Sequence, residues 1–204
     1  MNLSRLKKME ADFLSRYPGG FADPEMVAIS KKHKMNAMVE LTQEAFQEKY
    51  FEQPHIILNN LVKVISRSSM ISMFEKPKFK SFINGLSVLE GELLVEGLFS
   101  RLHDREQQGF ETVLDIMKTG KLAKWSLISI CPAYFQPLTE VYVKPTTAKG
   151  IIRELELDGL DYKPMPDWHF YKRFRQLVNE MKQEVDPSLS PSNAAFTGFL
   201  MMSL

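Results

Sequence analysis

The sequence predicts an all-α protein: a bundle of about eight helices forming one domain over residues 1–204. Apolar residues recur at every third or fourth position in most segments, which is the spacing of one face of a helix. Prolines stand where these segments begin and glycines where several of them end, as is typical of helix boundaries. The segment near residues 140–143 also allows a short pair of strands.

The N-terminal part contains helices with clear starting signals. The first helix ends at Pro18, and Asp23 and Pro24 then supply an N-cap and a proline in the first turn. A third helix ends near Tyr50, before Pro54 opens the fourth. The apolar stripes of the first and fourth helices are Leu3, Leu6, Met9, Phe13 and Tyr17, and Ile57, Leu58, Leu61, Val62 and Ile65.

The central part is harder to divide. Residues 77–99 fit either two helices or one bent helix, because three glycines leave the boundaries open. The next helix follows Asp104 and stops at Gly120. Residues 125–143 are apolar and β-branched and contain two prolines, so a short buried helix and an irregular or strand-like segment fit equally well.

The C-terminal part regains a regular period. A helix beginning at Pro166 carries the stripe Tyr171, Phe174, Val178 and Met181, which follows three-four spacing. The apolar terminus that follows is expected to pack back onto the body, because so much apolar surface is unfavourable in water. An alternative is a protein-binding patch formed by Phe196, Phe199 and Met201.

Composition limits the function classes. The 26 basic and 25 acidic residues leave a net charge of +1, which gives no global attraction to nucleic acid or to an anionic membrane. No segment approaches the about 18 apolar residues of a membrane span, so no membrane partner is predicted. A single cysteine and 12 methionines favour a reducing compartment and predict a cytoplasmic location.

The stretch from Val143 to Pro164 resembles a DNA-reading helix element in its order of features. Pro145 favours an extended residue before it, Thr146 or Thr147 would cap a short helix, and two basic residues would face outward. The alternative is a capped helix packed in an all-α core. We predict that phosphates are contacted by Lys144, Thr147, Lys149 and Arg153. We predict that bases stack on Tyr162 or Trp168.

A second basic window contains no acidic residue except Glu75. It includes a serine-rich loop, and the pattern fits either a solvated loop or a loop that contacts phosphate. Its basic members are Lys63, Arg67, Lys76, Lys78 and Lys80.

Motifs of the common enzyme classes do not occur, so no catalytic residue, metal ligand or cofactor is assigned. The nearest approach to a carboxylate and histidine cluster is formed by Glu92, Glu96, His103 and Asp104, and a solvated acidic face explains the glutamates as well. The enzyme alternative is a small-molecule pocket between helices, in which His103, His169 or Cys131 meets carboxylates in the folded chain.

Four short patches resemble an uncharacterised family of bacterial hypothetical proteins: YPGGFADP (17–24), KWSLISICPAYFQP (124–137), VKPTTAK (143–149) and LDYKPMPDWHFY (160–171). That family tends to have Trp-Pro-Leu where this chain has Trp125-Ser126-Leu127, and it closes with a different segment. The resemblance implies one intact domain and assigns no functional residue.

These observations predict a non-enzymatic binding or adaptor protein of the bacterial cytosol. Its partner would be a nucleic acid, contacted through residues 143–175, or another protein. The sequence makes no prediction of the oligomeric state.

Overall fold

The computed structural model describes residues 1–204 and consists of eleven α-helices, three short 3₁₀ turns and connecting loops. The all-α prediction is therefore confirmed. The helices are α1 (Leu3–Arg16), α2 (Pro24–His33), α3 (Met35–Ala45), α4 (Pro54–Arg67), α5 (Glu75–Gly85), α6 (Val88–His103), α7 (Glu106–Thr119), α8 (Trp125–Phe135), α9 (Pro145–Glu154), α10 (Trp168–Gln183) and α11 (Asn193–Ser203).

Side-chain caps fix several of these helix starts. Asp23 accepts a hydrogen bond from the Glu25 amide at the start of α2, and Asp167 accepts one from the Phe170 amide at the start of α10. At the start of α6, the Ser87 hydroxyl accepts from the Glu90 amide while the Glu90 carboxylate accepts from the Ser87 amide. This reciprocal pair is a capping box, and it fixes where α6 begins.

The prediction of about eight helices was wrong, because three segments form separate helices. The helical conformation is interrupted at residues 86–87, so residues 75–103 form two helices instead of one bent helix. Residues 125–135 are helical although Pro132 lies inside them, and nine of these eleven residues are buried. The terminal segment 193–203 is a helix in its own right.

The predicted strand pair near residues 140–143 was also wrong. No strand forms there: the Glu140 amide donates to the Gln136 carbonyl, and two further amides donate to side chains. The Val143 amide donates to Ser129 Oγ at 2.9 Å, and the Val141 amide donates to the Tyr171 hydroxyl at 3.4 Å. Side chains on α8 and α10 therefore take the place of a partner strand.

Helices α6 and α7 form an antiparallel hairpin whose backbones approach very closely. A Cβ atom added at Gly109 would lie 2.1 Å from the Arg101 backbone nitrogen, and one at Gly97 would lie 2.8 Å from Thr112 Cγ2. Two glycines therefore set the separation of this helix pair.

One contiguous cluster of 45 buried apolar residues joins the helices. Helix α11 belongs to this cluster, and Phe196 and Phe199 are fully buried in it. The expectation that the C-terminus packs onto the body is thus confirmed. The alternative of an exposed patch of Phe196, Phe199 and Met201 was wrong, because only Met201 is exposed. None of the eleven helices combines the length and the apolar composition of a membrane span.

Candidate functional site

The predicted contact residues at α9 lie at the start and along the outer side of this helix. Lys144 is the exposed N-cap residue, and the helix begins at Pro145 without a side-chain cap. The expectation that Thr146 or Thr147 caps this helix was therefore wrong. Thr147 lies in the first turn and is buried, so its hydroxyl does not share the outer surface with Lys144.

Lys149 and Tyr162 come together on this surface. The Lys149 ammonium nitrogen lies 5.6 Å from the centre of the Tyr162 ring, a cation-π distance. Arg153 instead pairs with Glu154 at 3.0 Å, and Glu154 also pairs with Arg5 at 3.1 Å. Lys144 and Lys149 are therefore the predicted cations that remain without an ion-pair partner, and Tyr162 lies beside Lys149.

Trp168 lies in a different aromatic cluster from Tyr162. Tyr162 packs against Trp125 and Phe170, whereas the Trp168 ring centre is 5.5 Å from Phe110 and 6.0 Å from Tyr171. The fold therefore does not bring the two predicted stacking residues into one site.

Trp168 covers a buried cluster of charged side chains that the sequence interpretation missed. Its centre is Glu140, which is 1% exposed. Arg101 on α6 and Arg175 on α10 each donate to one oxygen of the Glu140 carboxylate, and the Tyr171 hydroxyl donates to it at 2.6 Å. The cluster joins α6, α10 and the loop between α8 and α9.

Glu106, in the first turn of α7, completes the charge balance of this cluster. Its carboxylate binds the Arg175 guanidinium through two bonds of 2.8 and 3.1 Å. Two arginines thus face two glutamates, and both guanidinium groups also lie 5.2–5.9 Å from the rings of Trp168 and Tyr171. The three donors to Glu140, from Arg101, Arg175 and Tyr171, offset the desolvation penalty of this buried carboxylate.

The protonation states in the cluster follow from burial and hydrogen bonding. The hydrogen bond from Arg175 holds the pKa of Glu106 below its ordinary value, so this group is ionised at neutral pH. Burial, together with the nearby charge of Glu140, raises the pKa of Tyr171, so its phenol keeps its proton and donates a hydrogen bond to Glu140. We interpret the cluster as a polar core that fixes the positions of four segments.

Two sequence signals could have pointed to this cluster. Glu140 is an isolated acidic residue in the apolar run from Leu138 to Val143. Arg101 follows Leu94 and Leu98 on the buried stripe of α6, where a charged residue requires a partner. Neither signal identifies the partner, because Arg101 and Glu140 are 39 residues apart.

Arg101 and Cys131 also line a small internal cavity of about 20 Å³. The other lining residues are nearly all apolar, and burial raises the pKa of the Cys131 thiol to about 12. A thiol with this pKa is protonated and weakly nucleophilic at neutral pH. Ligand pockets usually measure about 300–1,000 Å³, so this cavity is far too small for an organic substrate.

His103 is nearly buried and serves to connect α6 to the segment before α4. Its Nε2 donates to the Phe46 carbonyl at 2.9 Å, and its Nδ1 lies 3.6 Å from a Glu48 oxygen. The rings of Phe51, Phe99 and Phe135 surround the imidazole. His169, by contrast, is exposed at the start of α10.

The outer side of α6 combines acidic and large apolar side chains. Val88 is 79% exposed, Leu89 is 65% exposed, and Leu93 lies one turn after Leu89 on the same side. Glu92, which lies between Leu89 and Leu93 in the sequence, and Glu96, which follows Leu93, are also exposed. We name these five residues, Val88, Leu89, Glu92, Leu93 and Glu96, the α6 surface.

An open groove borders the α6 surface. Its floor contains the apolar residues Phe51, Val95 and Phe99, and its walls contain Glu92 and Glu96 from α6. Glu48 and Glu52 line the opposite wall beside a single lysine, Lys49, so four glutamates face one cation. Lys49 itself lies 4.9 Å from the centre of the Tyr50 ring. The groove is therefore acidic at its rim and apolar at its base.

Comparison of the chain with protein-family models, curated proteins and solved structures gives no match. The functional conclusion therefore depends on the surfaces described above.

Proposed function

We propose that the protein is a non-enzymatic adaptor of the bacterial cytosol that binds a cationic amphipathic helix of a partner protein on its α6 surface. The observation that carries this proposal is the exposure of Val88, Leu89 and Leu93 beside an acidic groove with an aromatic base. The bacterial and cytosolic assignments depend on the four sequence patches and on the single cysteine.

Shape and charge both favour this class of partner. An amphipathic helix binds by laying its apolar face into a hydrophobic groove, with anchors three, four and seven residues apart. The α6 surface offers apolar contacts for such anchors, and the surrounding glutamates would pair with lysine or arginine at the edges of the bound helix. Of the four glutamates lining the groove, only Glu48 has a partner, namely His103.

The α6 surface is held in place before any partner arrives. The capping box of Ser87 and Glu90 fixes the first turn of α6, which carries Val88 and Leu89. The opposite face of α6 is buried, and its glycines pack against α7 and α4. A preformed surface binds without the entropy cost of ordering a loop.

A charge-reversal experiment tests this proposal. A dye-labelled peptide of leucine and lysine that folds as a cationic amphipathic helix is titrated with the protein, and fluorescence anisotropy is recorded. The wild type is expected to bind at low salt, and Glu92→Lys/Glu96→Lys is expected to weaken binding at least about tenfold, because two attractive charges become repulsive. Leu89→Ser/Leu93→Ser is also expected to weaken binding.

The matched control is Glu180→Lys/Glu184→Lys, which reverses two exposed charges four residues apart at the end of α10. This control is expected to bind the peptide like the wild type, apart from a small general effect of net charge. Equal loss in both charge-reversed proteins, or no loss in the α6 variant, contradicts the proposal.

Nucleic acid is the second candidate partner, and the contact between Lys149 and Tyr162 favours it. Proteins that bind single-stranded nucleic acid combine aromatic rings, on which bases stack, with cations that contact phosphates. Lys144 extends this surface at the uncapped start of α9, where amide groups point outward. Thr147 and Trp168 contribute no exposed group to the same surface, so the candidate site is smaller than the sequence predicted.

A salt titration tests this second candidate. Binding of single-stranded DNA and RNA is measured over increasing salt for the wild type and for Lys144→Ala/Lys149→Ala. Loss of phosphate contacts is expected to weaken binding and to reduce the slope of log affinity against log salt by about one unit per contact. Lys8→Ala/Arg16→Ala, on the exposed side of α1, removes the same charges and should retain the slope. Absence of binding at low salt rules this candidate out.

A further inference from the structure

The loop between α4 and α5 holds two large apolar side chains out into solvent. Met73 is 74% exposed and Phe74 is 75% exposed. They are consecutive, and Phe74 stands at the N-cap position of α5. Two adjacent side chains of this size at the end of a loop are unusual on a protein surface and are typical of an interaction site.

The same loop is firmly attached to the body just before these residues. The Ser68 hydroxyl shares a buried hydrogen bond of 2.9 Å with the Tyr134 hydroxyl, and Tyr142 donates to the Met70 carbonyl at 2.8 Å. Ile71 is buried in the core. Met73 and Phe74 therefore project from an anchored loop.

Positive charge flanks this apolar pair on the α5 side. Lys78 follows Phe74 by one helical turn and lines an open groove with Lys121 and Lys124, which contains no acidic residue. Glu75, the one acidic residue of this region, is mostly buried and pairs with Lys124 at 2.7 Å. Lys78 and Lys121 are both exposed and make no ion pair, so their charges are available to a ligand.

Positive charge also lies on the other side of the loop. The His33 Nδ1 atom is 3.0 Å from Ser69 Oγ, which places the end of α2 against the start of this loop. Lys31, Lys32 and Lys34 are exposed in that segment. Cations thus stand on both sides of the protruding apolar pair.

We propose that this surface, formed by Met73, Phe74, Lys78 and Lys121, binds the surface of a membrane that contains anionic phospholipids. Large apolar side chains insert between lipid headgroups, while lysines around them bind the negative charge of the headgroups. The expectation of no membrane partner depended on the net charge of +1 and on the absence of long apolar segments. Binding through a local basic surface requires neither a high net charge nor such a segment.

The observations favour a membrane over a nucleic acid as the partner of this surface. A nucleic acid would use Phe74 for base stacking, but methionine has no aromatic face to stack on a base. Both Met73 and Phe74 gain from burial among acyl chains, and neither lines one of the grooves described above.

Vesicle binding tests the proposal. The protein is sedimented with vesicles of phosphatidylcholine alone and with vesicles of equal parts phosphatidylcholine and phosphatidylglycerol. Binding to the anionic vesicles is expected, and Met73→Ser/Phe74→Ser and Lys78→Glu/Lys121→Glu should each reduce the bound-to-free ratio about tenfold or more. The controls Leu138→Ser/Met165→Ser and Lys8→Glu/Arg16→Glu change comparable exposed residues elsewhere and should retain binding.

A fluorescent reporter gives an independent measurement. In Phe74→Trp, the introduced indole is expected to shift its emission to shorter wavelength on addition of anionic vesicles, because it leaves water. Absence of that shift, or vesicle binding that is unaffected by the Met73 and Phe74 substitutions, overturns the proposal. A response to single-stranded DNA without a response to vesicles would also overturn it and would assign the surface to nucleic acid.

Discussion

Replacing Glu140 by alanine is expected to lower the free energy of unfolding by about 3–5 kcal/mol. The substitution removes the carboxylate that Arg101, Arg175 and Tyr171 share, and it leaves the Arg101 guanidinium, which is 4% exposed, without its anion. A buried charge without a partner is much less favourable than the same charge in water. Urea denaturation followed by circular dichroism measures this loss.

Glu106→Ala is the matched control for this experiment. Glu106 binds Arg175 from a position that is 41% exposed, so water can replace much of its contribution. We expect a loss of only about 1 kcal/mol for this variant, as for other partly exposed ion pairs. If Glu140→Ala costs no more than Glu106→Ala, then the buried cluster does not stabilise the fold in the way that its geometry implies.

Sequence periodicity was sufficient for most of the fold because most helices bury one stripe. The stripe of α10, which includes Phe174, Val178 and Met181, was predicted from its spacing and is buried. Helix α8 could not be predicted in the same way, because it is buried on nearly all sides and has no polar face to mark a period. The segment 140–143 was misjudged because side chains from distant helices bind its backbone.

The candidate surfaces could be predicted from the sequence less completely than the helices. Glu92 and Glu96 were recognised as an exposed acidic face, but the contribution of Glu48 and Glu52 depends on the packing of the segment before α4 against α6. Likewise, the basic window around Lys78 was recognised, whereas Lys121 joins it only through the turn after α7. Contacts between distant segments depend on the tertiary arrangement, which local patterns do not specify.

The two proposed surfaces use opposite charges and would serve different partners. The α6 surface is acidic and suits a cationic helix, whereas the surface around Met73 and Phe74 is basic and suits anionic lipid. Acidic and basic side chains lie on different surfaces, so each surface has a local electrostatic potential although the net charge is only +1. An adaptor that brings a cationic partner to a membrane would need this arrangement.

Replacing Gly109 by alanine is expected to destabilise the protein by about 3 kcal/mol or more. The new Cβ atom would meet the Arg101 nitrogen at 2.1 Å and the Gly97 carbonyl oxygen at 2.6 Å, and neither backbone atom can move aside as a flexible side chain could. Helix α7 would have to shift away from α6, which would also displace Glu106 from Arg175.

The control for this substitution is Gly85→Ala at the end of α5, where an added Cβ atom meets no atom within 4 Å. Because alanine favours the helix and restricts the unfolded chain, this variant is expected to be unchanged or to gain up to about 1 kcal/mol. Thermal unfolding of both variants provides the comparison. An equal response of the two glycine positions would show that the close contact of α6 and α7 relaxes at little cost, and the helix pair would then not be the rigid support that the α6 surface requires.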